Sequence, residues 1–136
     1  MTPVLVDSNV LIDLMVRDPL WFEWSSARIA QYGETARLVI NPIVFAEVSV
    51  SFTSPQELEA ALPLEFFSRE NLPWEAAFLA GKCYARYRRL GGAKTAPMPD
   101  FYIGAHAAVH GYRLLTRDPG PYRTYFPKLD VIAPET

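Results

Sequence analysis

Four acidic residues are placed so that a fold with parallel strands would gather their carboxylates at one edge of a sheet. Asp7 directly follows one short apolar run, and Asp118 comes shortly after a second. Glu47 and Asp100 lie in segments with helical character that lead toward strands. In open α/β sheets, ligands bind at the carboxyl edge of the strands. We therefore expect Asp7, Glu47, Asp100 and Asp118 to form one site.

Crowded carboxylates without a Lys or Arg partner repel one another, so such a group persists mainly when a divalent cation occupies it. Hard oxygen ligands suit Mg²⁺ or Mn²⁺, and Mg²⁺ usually keeps several of its waters. An ion of this kind can activate water and stabilise the charge of an in-line displacement at phosphorus. Ser8, Asn9 and Thr116 have side chains that could orient the acids or the attacking water.

The element that must position Asp7 is the strand predicted for residues 4–6. Its three apolar side chains form the kind of unbroken run found in strands buried on both faces of a parallel sheet. Asp7 would then stand where the strand leaves the sheet. Asp7, Ser8 and Asn9 also resemble a helix N-cap, because an apolar helical pattern begins at Val10.

Strands and helices alternate along the rest of the chain. Further strands are predicted at residues 37–40, 64–67, 112–115 and 129–132, with 64–67 as a minor edge strand. Start and stop signals predict helices at residues 9–16, from Pro19 to about 32, from Asn41, from Ser54, at 73–90 and at 100–110, with a loop at 93–99. This alternation favours an α/β fold with a mostly parallel sheet of four to five strands, covered by helices on both faces.

Each acid also has an ordinary structural interpretation. Glu47 fits a solvated helix position, and Asp100 fits a helix cap that follows Pro99. Asp118 begins an Asp-Pro-Gly sequence typical of a turn. Taken one at a time, these interpretations are the simpler ones. The shared position at the carboxyl edge is what favours a common site.

Composition indicates one globular domain over residues 1–136. Half of the residues are hydrophobic and 21% are charged, which is ordinary for a folded domain. Cys83 is the single cysteine, so an internal disulfide is excluded and a reducing compartment is favoured. No secretory signal or membrane-spanning run is visible, and we expect a cytoplasmic protein. The net charge of −2 argues against nucleic-acid binding through a globally basic surface.

Several stretches together resemble a PIN-domain ribonuclease. They are residues 4–9 with Asp7, the helix acid Glu47, the stretch DFYIGAHAAVHGYRLLTRD from Asp100 to Asp118, and the closing strand. The stretch from Asp100 to Asp118 is the most specific of these. The small size and the absence of additional domains are similar to VapC-type toxins of toxin–antitoxin pairs. The resemblance covers nearly the whole chain.

The resemblance implies a three-layer α/β/α fold and a metal-dependent endoribonuclease that hydrolyses RNA phosphodiester bonds. It implies that the four acids bind Mg²⁺ or Mn²⁺ and support cleavage. Thr116 matches the hydroxyl residue beside the last acid, and Asn9 matches the polar residue after the first. The expected partners are an RNA substrate, a cognate antitoxin and a second copy of the chain in a homodimer, without a membrane.

Two other functions have sequence signatures that can be compared. A catalytically silent PIN-like module could bind RNA or protein without cutting, although four intact acids argue against it. A phosphoacceptor receiver domain also has an acidic Mg²⁺ pocket, but it needs a paired acid after the first strand and a well-placed late lysine. Here Ser8 follows Asp7, and Lys128 is poorly placed.

Three further features have both structural and functional interpretations. His106 and His110 have metal-ligand spacing, but no third ligand is apparent and packing or surface roles are favoured. The long helix has a basic face formed by Lys82, Arg86 and Arg89. This face is either solvated or used to bind RNA phosphates. Three adjacent aromatics cannot all face one core, so we expect at least one exposed at an antitoxin groove or dimer interface: Trp21, Phe22 and Trp24.

Overall fold

The strand that carries Asp7 lies at the centre of the sheet. The computed structural model describes residues 1–92 and 98–135, and its five strands are in the order β3-β2-β1-β4-β5, all parallel. The strands are β1 Val4–Val6, β2 Leu38–Ile40, β3 Phe67–Arg69, β4 Arg113–Leu115 and β5 Val131–Ile132. The predicted three-layer α/β/α architecture with a mostly parallel sheet is therefore confirmed.

Seven helices cover this sheet within the described residues. They are α1 Ser8–Met15, α2 Phe22–Thr35, α3 Pro42–Ser49, α4 Pro55–Ala61, α5 Trp74–Arg89, α6 Met98–His110 and α7 Gly120–Tyr125. Asn41 caps α3 by accepting from the Val44 N–H, and Ser54 caps α4 in the same way, as the sequence predicted. Gly111 takes a φ of 70°, a left-handed conformation that favours glycine, immediately after α6.

The core is formed where the central strands meet the helices. All three residues of β1 are fully buried, and those of β2 are at most 4% exposed. In β1 and β4, Val6 pairs with Leu115, so both strands end at the same level of the sheet. This register places the residues that follow them, Asp7 and Thr116, side by side. In residues 1–92 and 98–135, no helix has the length and apolar character to cross a membrane.

Several predicted boundaries were wrong. The second helix begins at Phe22 instead of Pro19, because the Asp18 carboxylate accepts from the Leu20 and Trp21 N–H groups and forms a turn. It also continues through Gly33 and ends at Thr35. The edge strand lies at Phe67–Arg69 and not at 64–67, because Phe67 is the buried residue that pairs with Leu38.

Two differences affect the proposed site. Helix α6 starts at Met98, so Asp100 lies in its first turn and does not cap it. Helix α7, which follows the Asp118 turn, was not predicted. Of the predicted loop at 93–99, residues 93–97 lie outside the described part of the chain.

Candidate active site

Asp7 has both of the roles that the sequence allowed for it, as a helix cap and as an acid at the end of the central strand. It is the N-cap of α1, where its Oδ1 accepts from the Ser8 N–H at 2.7 Å. Its Oδ2 accepts from two hydroxyl groups, those of Thr116 and Tyr122, each at 2.9 Å. The residue is only 3% exposed. The cap therefore fixes this carboxylate at the carboxyl edge of the sheet, surrounded by donors.

Glu47 reaches Asp7 through a serine. The Ser8 hydroxyl donates to Glu47 Oε1 at 2.8 Å and lies 3.4 Å from Asp7 Oδ1. Helix α3 begins at the end of β2, beside β1, and this start brings Glu47 toward the same edge. Glu47 is half-buried. The structure thus places it at the proposed site and not on a solvated face.

Asp100 joins the group through a tyrosine. The Tyr122 hydroxyl lies 3.3 Å from Asp100 Oδ1 and 2.9 Å from Asp7 Oδ2. Its ring is buried against α6 at Gly104, where a Cβ atom would lie 3.0 Å from Tyr122 and 2.4 Å from Phe126. Glycine at this position therefore allows α7 to approach α6. Sequence reasoning missed Tyr122 because the preceding Asp-Pro-Gly suggested only a turn.

Thr116 organises the remaining predicted residues. Its hydroxyl donates to Asp7 and accepts from the Asn9 side-chain amide at 3.2 Å and from the Asp118 backbone N–H at 3.1 Å. Asn9 Oδ1 also accepts from the Arg117 N–H at 3.3 Å. Asp118 itself is exposed at the rim of the group. Five of the six predicted side chains are therefore joined by hydrogen bonds at the carboxyl edge, and Asp118 lies close enough for its charge to raise the pKa of Asp100.

Asp13 has a different role from the acids of the site. It is buried, and Arg117 Nε donates to its two carboxylate oxygens at 3.1 and 2.9 Å. Ser25 donates a further hydrogen bond of 2.8 Å to it. This ion pair holds the chain between Thr116 and Asp118 against α1. Asp13 thus supports the site indirectly, by holding in place the backbone that carries Thr116 and Asp118.

Burial and mutual repulsion raise the pKa of the carboxyl groups. Burial, followed by the charges of Asp7, Glu47 and Asp118, raises the pKa of Asp100 to about 7. Burial also raises the pKa of Asp7, although its hydroxyl and N–H donors oppose the shift. Burial is the main cause of the raised pKa of Glu47, with Asp7 adding to it. The protein's own groups therefore compensate poorly for the negative charge of these acids.

The donor set fits a hard divalent cation. Across residues 1–92 and 98–135, the ion pairs do not include any of the four acids. In the same ranges, no three of these acids each bring a carboxylate oxygen within 4.8 Å of the other two. An ion that keeps several waters, as Mg²⁺ does, suits this wider spacing. A cation would also remove the repulsion that raises the pKa values.

The aromatic cluster differs from its prediction. Trp21, Phe22 and Trp24 are all half-buried, so none of them is the exposed anchor that was expected. Trp21 packs edge-on against Trp24, and Arg117 and Arg17 cover Trp21 and Phe22 respectively. Highly exposed aromatics lie elsewhere, with Trp74 at 88% and Phe78 at 69% on α5 and Phe66 at 66% before β3.

Comparisons with known proteins agree with the fold described above. The PIN domain family model matches residues 4–127. The fold is similar to VapBC2 from Rickettsia felis bound to a promoter DNA fragment (TM-score 0.75, 14% identity, covering 98% of this chain and 99% of the other). It is also similar to VapBC-1 from Haemophilus influenzae (TM-score 0.71, 20% identity, 96% and 97% covered). A third similar structure is DNA-bound VapBC from Salmonella typhimurium (TM-score 0.72, 20% identity, 98% of both chains covered).

No curated protein matches the chain. The structural similarities, all at low identity, establish the fold. The family match covers almost the entire sequence and decides against the receiver alternative. The chain belongs to the PIN domain family.

Proposed function

We propose that this protein is a metal-dependent endoribonuclease and the VapC-type toxin of a toxin–antitoxin pair. The observation that carries the proposal is the bonded group of acids at the carboxyl edge, with Ser8 joining Asp7 to Glu47 and Tyr122 joining Asp7 to Asp100. Family membership supports nuclease chemistry, and the VapBC structures that share the fold support the toxin assignment.

We assign Asp7, Glu47, Asp100 and Asp118 to the binding of Mg²⁺ or Mn²⁺. A bound ion would supply activation of water and neutralisation of charge on the phosphate. Asp100 is half protonated near pH 7, so cation binding competes with a proton at this residue. Asp7, which accepts three short hydrogen bonds from its neighbours, is the most firmly oriented member of the set.

Three uncharged side chains position these acids. Thr116 holds Asp7 Oδ2 and is itself held by Asn9, so we propose that both act on the geometry of the first acid. Tyr122 remains a hydroxyl donor, because burial and the charges of Asp7 and Asp100 raise its pKa. Its single hydroxyl proton can be donated to Asp7 or to Asp100, and this shared donor links the two carboxylates.

The exposed cations of α5 support an RNA substrate. Lys82, Arg86 and Arg89 are exposed, and Arg86 stacks over the ring of Tyr125 on α7, the helix that carries Tyr122. The basic face therefore reaches the helix whose Tyr122 contacts two of the acids. Lys and Arg side chains in such a position can follow the phosphates of a nucleic acid despite an overall charge of −2.

Exposed apolar side chains support protein partners. Trp74 and Phe78 lie one turn apart on α5. Large exposed aromatics of this kind are typical of interaction surfaces. We propose a cognate antitoxin and a second copy of this chain as partners, in keeping with the VapBC complexes that share the fold. We also propose a cytoplasmic location, in keeping with an RNA substrate.

The deciding experiment maps the ends of RNAs cut by purified protein in Mn²⁺, with Asp100→Asn as the control. New internal 5′ and 3′ ends that disappear in the control would support the proposal. Binding of RNA without new ends would favour the silent PIN-like module.

A further inference from the structure

A second cluster of metal-ligand side chains lies outside the acid site, at the end of the edge strand. Glu70 directly follows β3, and His106 and His110 are one helical turn apart on α6. One ligand atom from each residue lies within 4.8 Å of the other two. In residues 1–92 and 98–135, no other three His, Cys, Asp or Glu side chains outside this cluster have that spacing. The sequence showed the histidine pair but not the third ligand.

The measured spacing is close to that of a tetrahedral metal site. His106 Nε2 lies 3.2 Å from Glu70 Oε1. A tetrahedral zinc ion with bonds of roughly 2.1 Å separates neighbouring ligand atoms by about 3.4 Å. His110 is exposed, and one of its ring nitrogens lies within 4.8 Å of the ligand atoms of Glu70 and His106. Two imidazoles and one carboxylate are a known ligand set for zinc with an open fourth position.

The contacts around Glu70 leave one carboxylate oxygen available. Arg37 Nη1 donates to Oε2 at 2.9 Å, and the Tyr112 hydroxyl donates to the same atom at 2.7 Å. Oε1 contacts only His106 in the described part of the chain. Outer hydrogen bonds that hold a carboxylate in this way orient it for a single metal bond.

Metal binding at His106 would change the hydrogen bonds that its imidazole makes in the metal-free protein. Asn41 Oδ1 accepts from the Val44 N–H, so its NH₂ group donates to His106 Nδ1 at 3.0 Å. The imidazole therefore carries its proton on Nε2, where it faces Glu70. A metal ion on Nε2 would require the ring proton to sit on Nδ1 instead, and Nδ1–H would then need a hydrogen-bond acceptor in place of the Asn41 NH₂ group. Rotation of the Asn41 amide supplies one at the cost of the helix cap.

We propose that Glu70, His106 and His110 form a binding site for Zn²⁺ or a chemically similar ion such as Co²⁺. Imidazole nitrogens favour such ions over Mg²⁺, which distinguishes this site from the acid group. The ion would join the end of β3 to α6. This inference does not depend on nuclease activity.

The first experiment titrates the full-length protein with Zn²⁺ by calorimetry and with Co²⁺ by visible absorption, always in millimolar Mg²⁺. Wild type should bind with a stoichiometry of one at this site and give the strong absorption of tetrahedral Co²⁺. Because loss of an outer hydrogen bond already weakens metal binding by 10–100-fold, His110→Ala should weaken it by at least about 100-fold. Val109→Ala, an exposed neighbour on the same turn, should bind like wild type.

The second experiment tests the role of Asn41 with a substitution that should strengthen metal binding. In Asn41→Asp, one carboxylate oxygen can accept from Val44 while the other accepts from a proton on His106 Nδ1. Zinc affinity should therefore increase by about 10-fold. Equal affinity of wild type and His110→Ala, or no increase in Asn41→Asp, would overturn the proposal. Circular dichroism of each variant checks that the fold is retained.

Discussion

The hydroxyl of Tyr122 donates a 2.9 Å hydrogen bond to Asp7 Oδ2 and joins α7 to the end of the central strand. The same hydroxyl lies 3.3 Å from Asp100 Oδ1. Its ring is only 1% exposed and packs against α6. The separation of two acids from distant parts of the sequence is therefore set by one buried side chain.

Tyr122→Phe should preserve the packing but reduce RNA cleavage by about 10-fold at pH 7, within the range typical of a lost polar contact. Without this donor, the pKa values of Asp7 and Asp100 rise further, because the Tyr122 hydrogen bond lowers both. The rising limb of the pH–rate profile should shift to higher pH. Tyr125→Phe on the same helix is the matched control, and an unchanged profile in Tyr122→Phe would remove this residue from the site.

The metal-free protein should be more stable at mildly acidic pH than at neutral pH. Asp100 has a folded pKa of about 7, above its ordinary value of 3.8, so the folded state holds an extra proton between these values. Stability therefore falls as pH rises through this window. We expect a loss of about 1–2 kcal/mol, reduced from the full shift because the carboxyl is partly solvated.

Urea unfolding in chelator at pH 5.5 and pH 8 measures this effect. Asp100→Asn should lose most of the difference between the two pH values, because its amide does not titrate, while Asp7 and Glu47 still do. A wild type that is more stable at pH 8 than at pH 5.5 would show that the carboxylates are not crowded as described.

Divalent ions should stabilise the folded protein at neutral pH. An ion at a hundred times its dissociation constant adds about 2.7 kcal/mol, which corresponds to several degrees in Tm for a domain of this size. The shift should shrink at pH 5.5, where protons compete for Asp100. Thermal unfolding with and without millimolar Mn²⁺ makes the measurement. Asp7→Asn should lose most of the shift, and a full shift in that variant would place the ion elsewhere.

Charge reversal on α5 should weaken RNA binding for all sequences. Arg86→Glu and Arg89→Glu remove phosphate contacts, and each lost contact lowers the slope of log affinity against log salt by about 0.7 for a single strand. Binding by Asp100→Asn protein, which should not cut RNA, can be followed by fluorescence anisotropy at several salt concentrations. Lys128→Glu is the control with the same charge change. A salt slope equal to that of the control would assign these arginines to a solvated face.

The sequence was most informative where a residue follows a buried strand or starts a helix. The apolar run before Asp7 and the Asn41-Pro42 start each predicted an element whose geometry now places a site residue. Thr116 and Asn9 were predictable because they flank acids that follow neighbouring strands. These features depend on local chemistry, which a sequence displays directly.

Contacts between distant segments could not be predicted in this way. Tyr122 lies on a short helix after a turn sequence, and only its packing against Gly104 aims the hydroxyl at Asp7. The ion pair between Asp13 and Arg117, which are 104 residues apart, is another contact that only the structure shows. Glu70 lies beside the histidines because β3, which it follows, pairs with β2. The short apolar run of β3 does not reveal its pairing partner.

The most direct test of the proposed nuclease is cleavage of RNA by the purified protein in Mn²⁺, compared with the same reaction in chelator and with Asp7→Asn. End-mapping by sequencing identifies internal cuts at nucleotide resolution. Our account predicts discrete internal ends in Mn²⁺ with wild type, and none in chelator or with the folded variant. Equal cleavage by wild type and Asp7→Asn, or cleavage that persists in chelator, would contradict it.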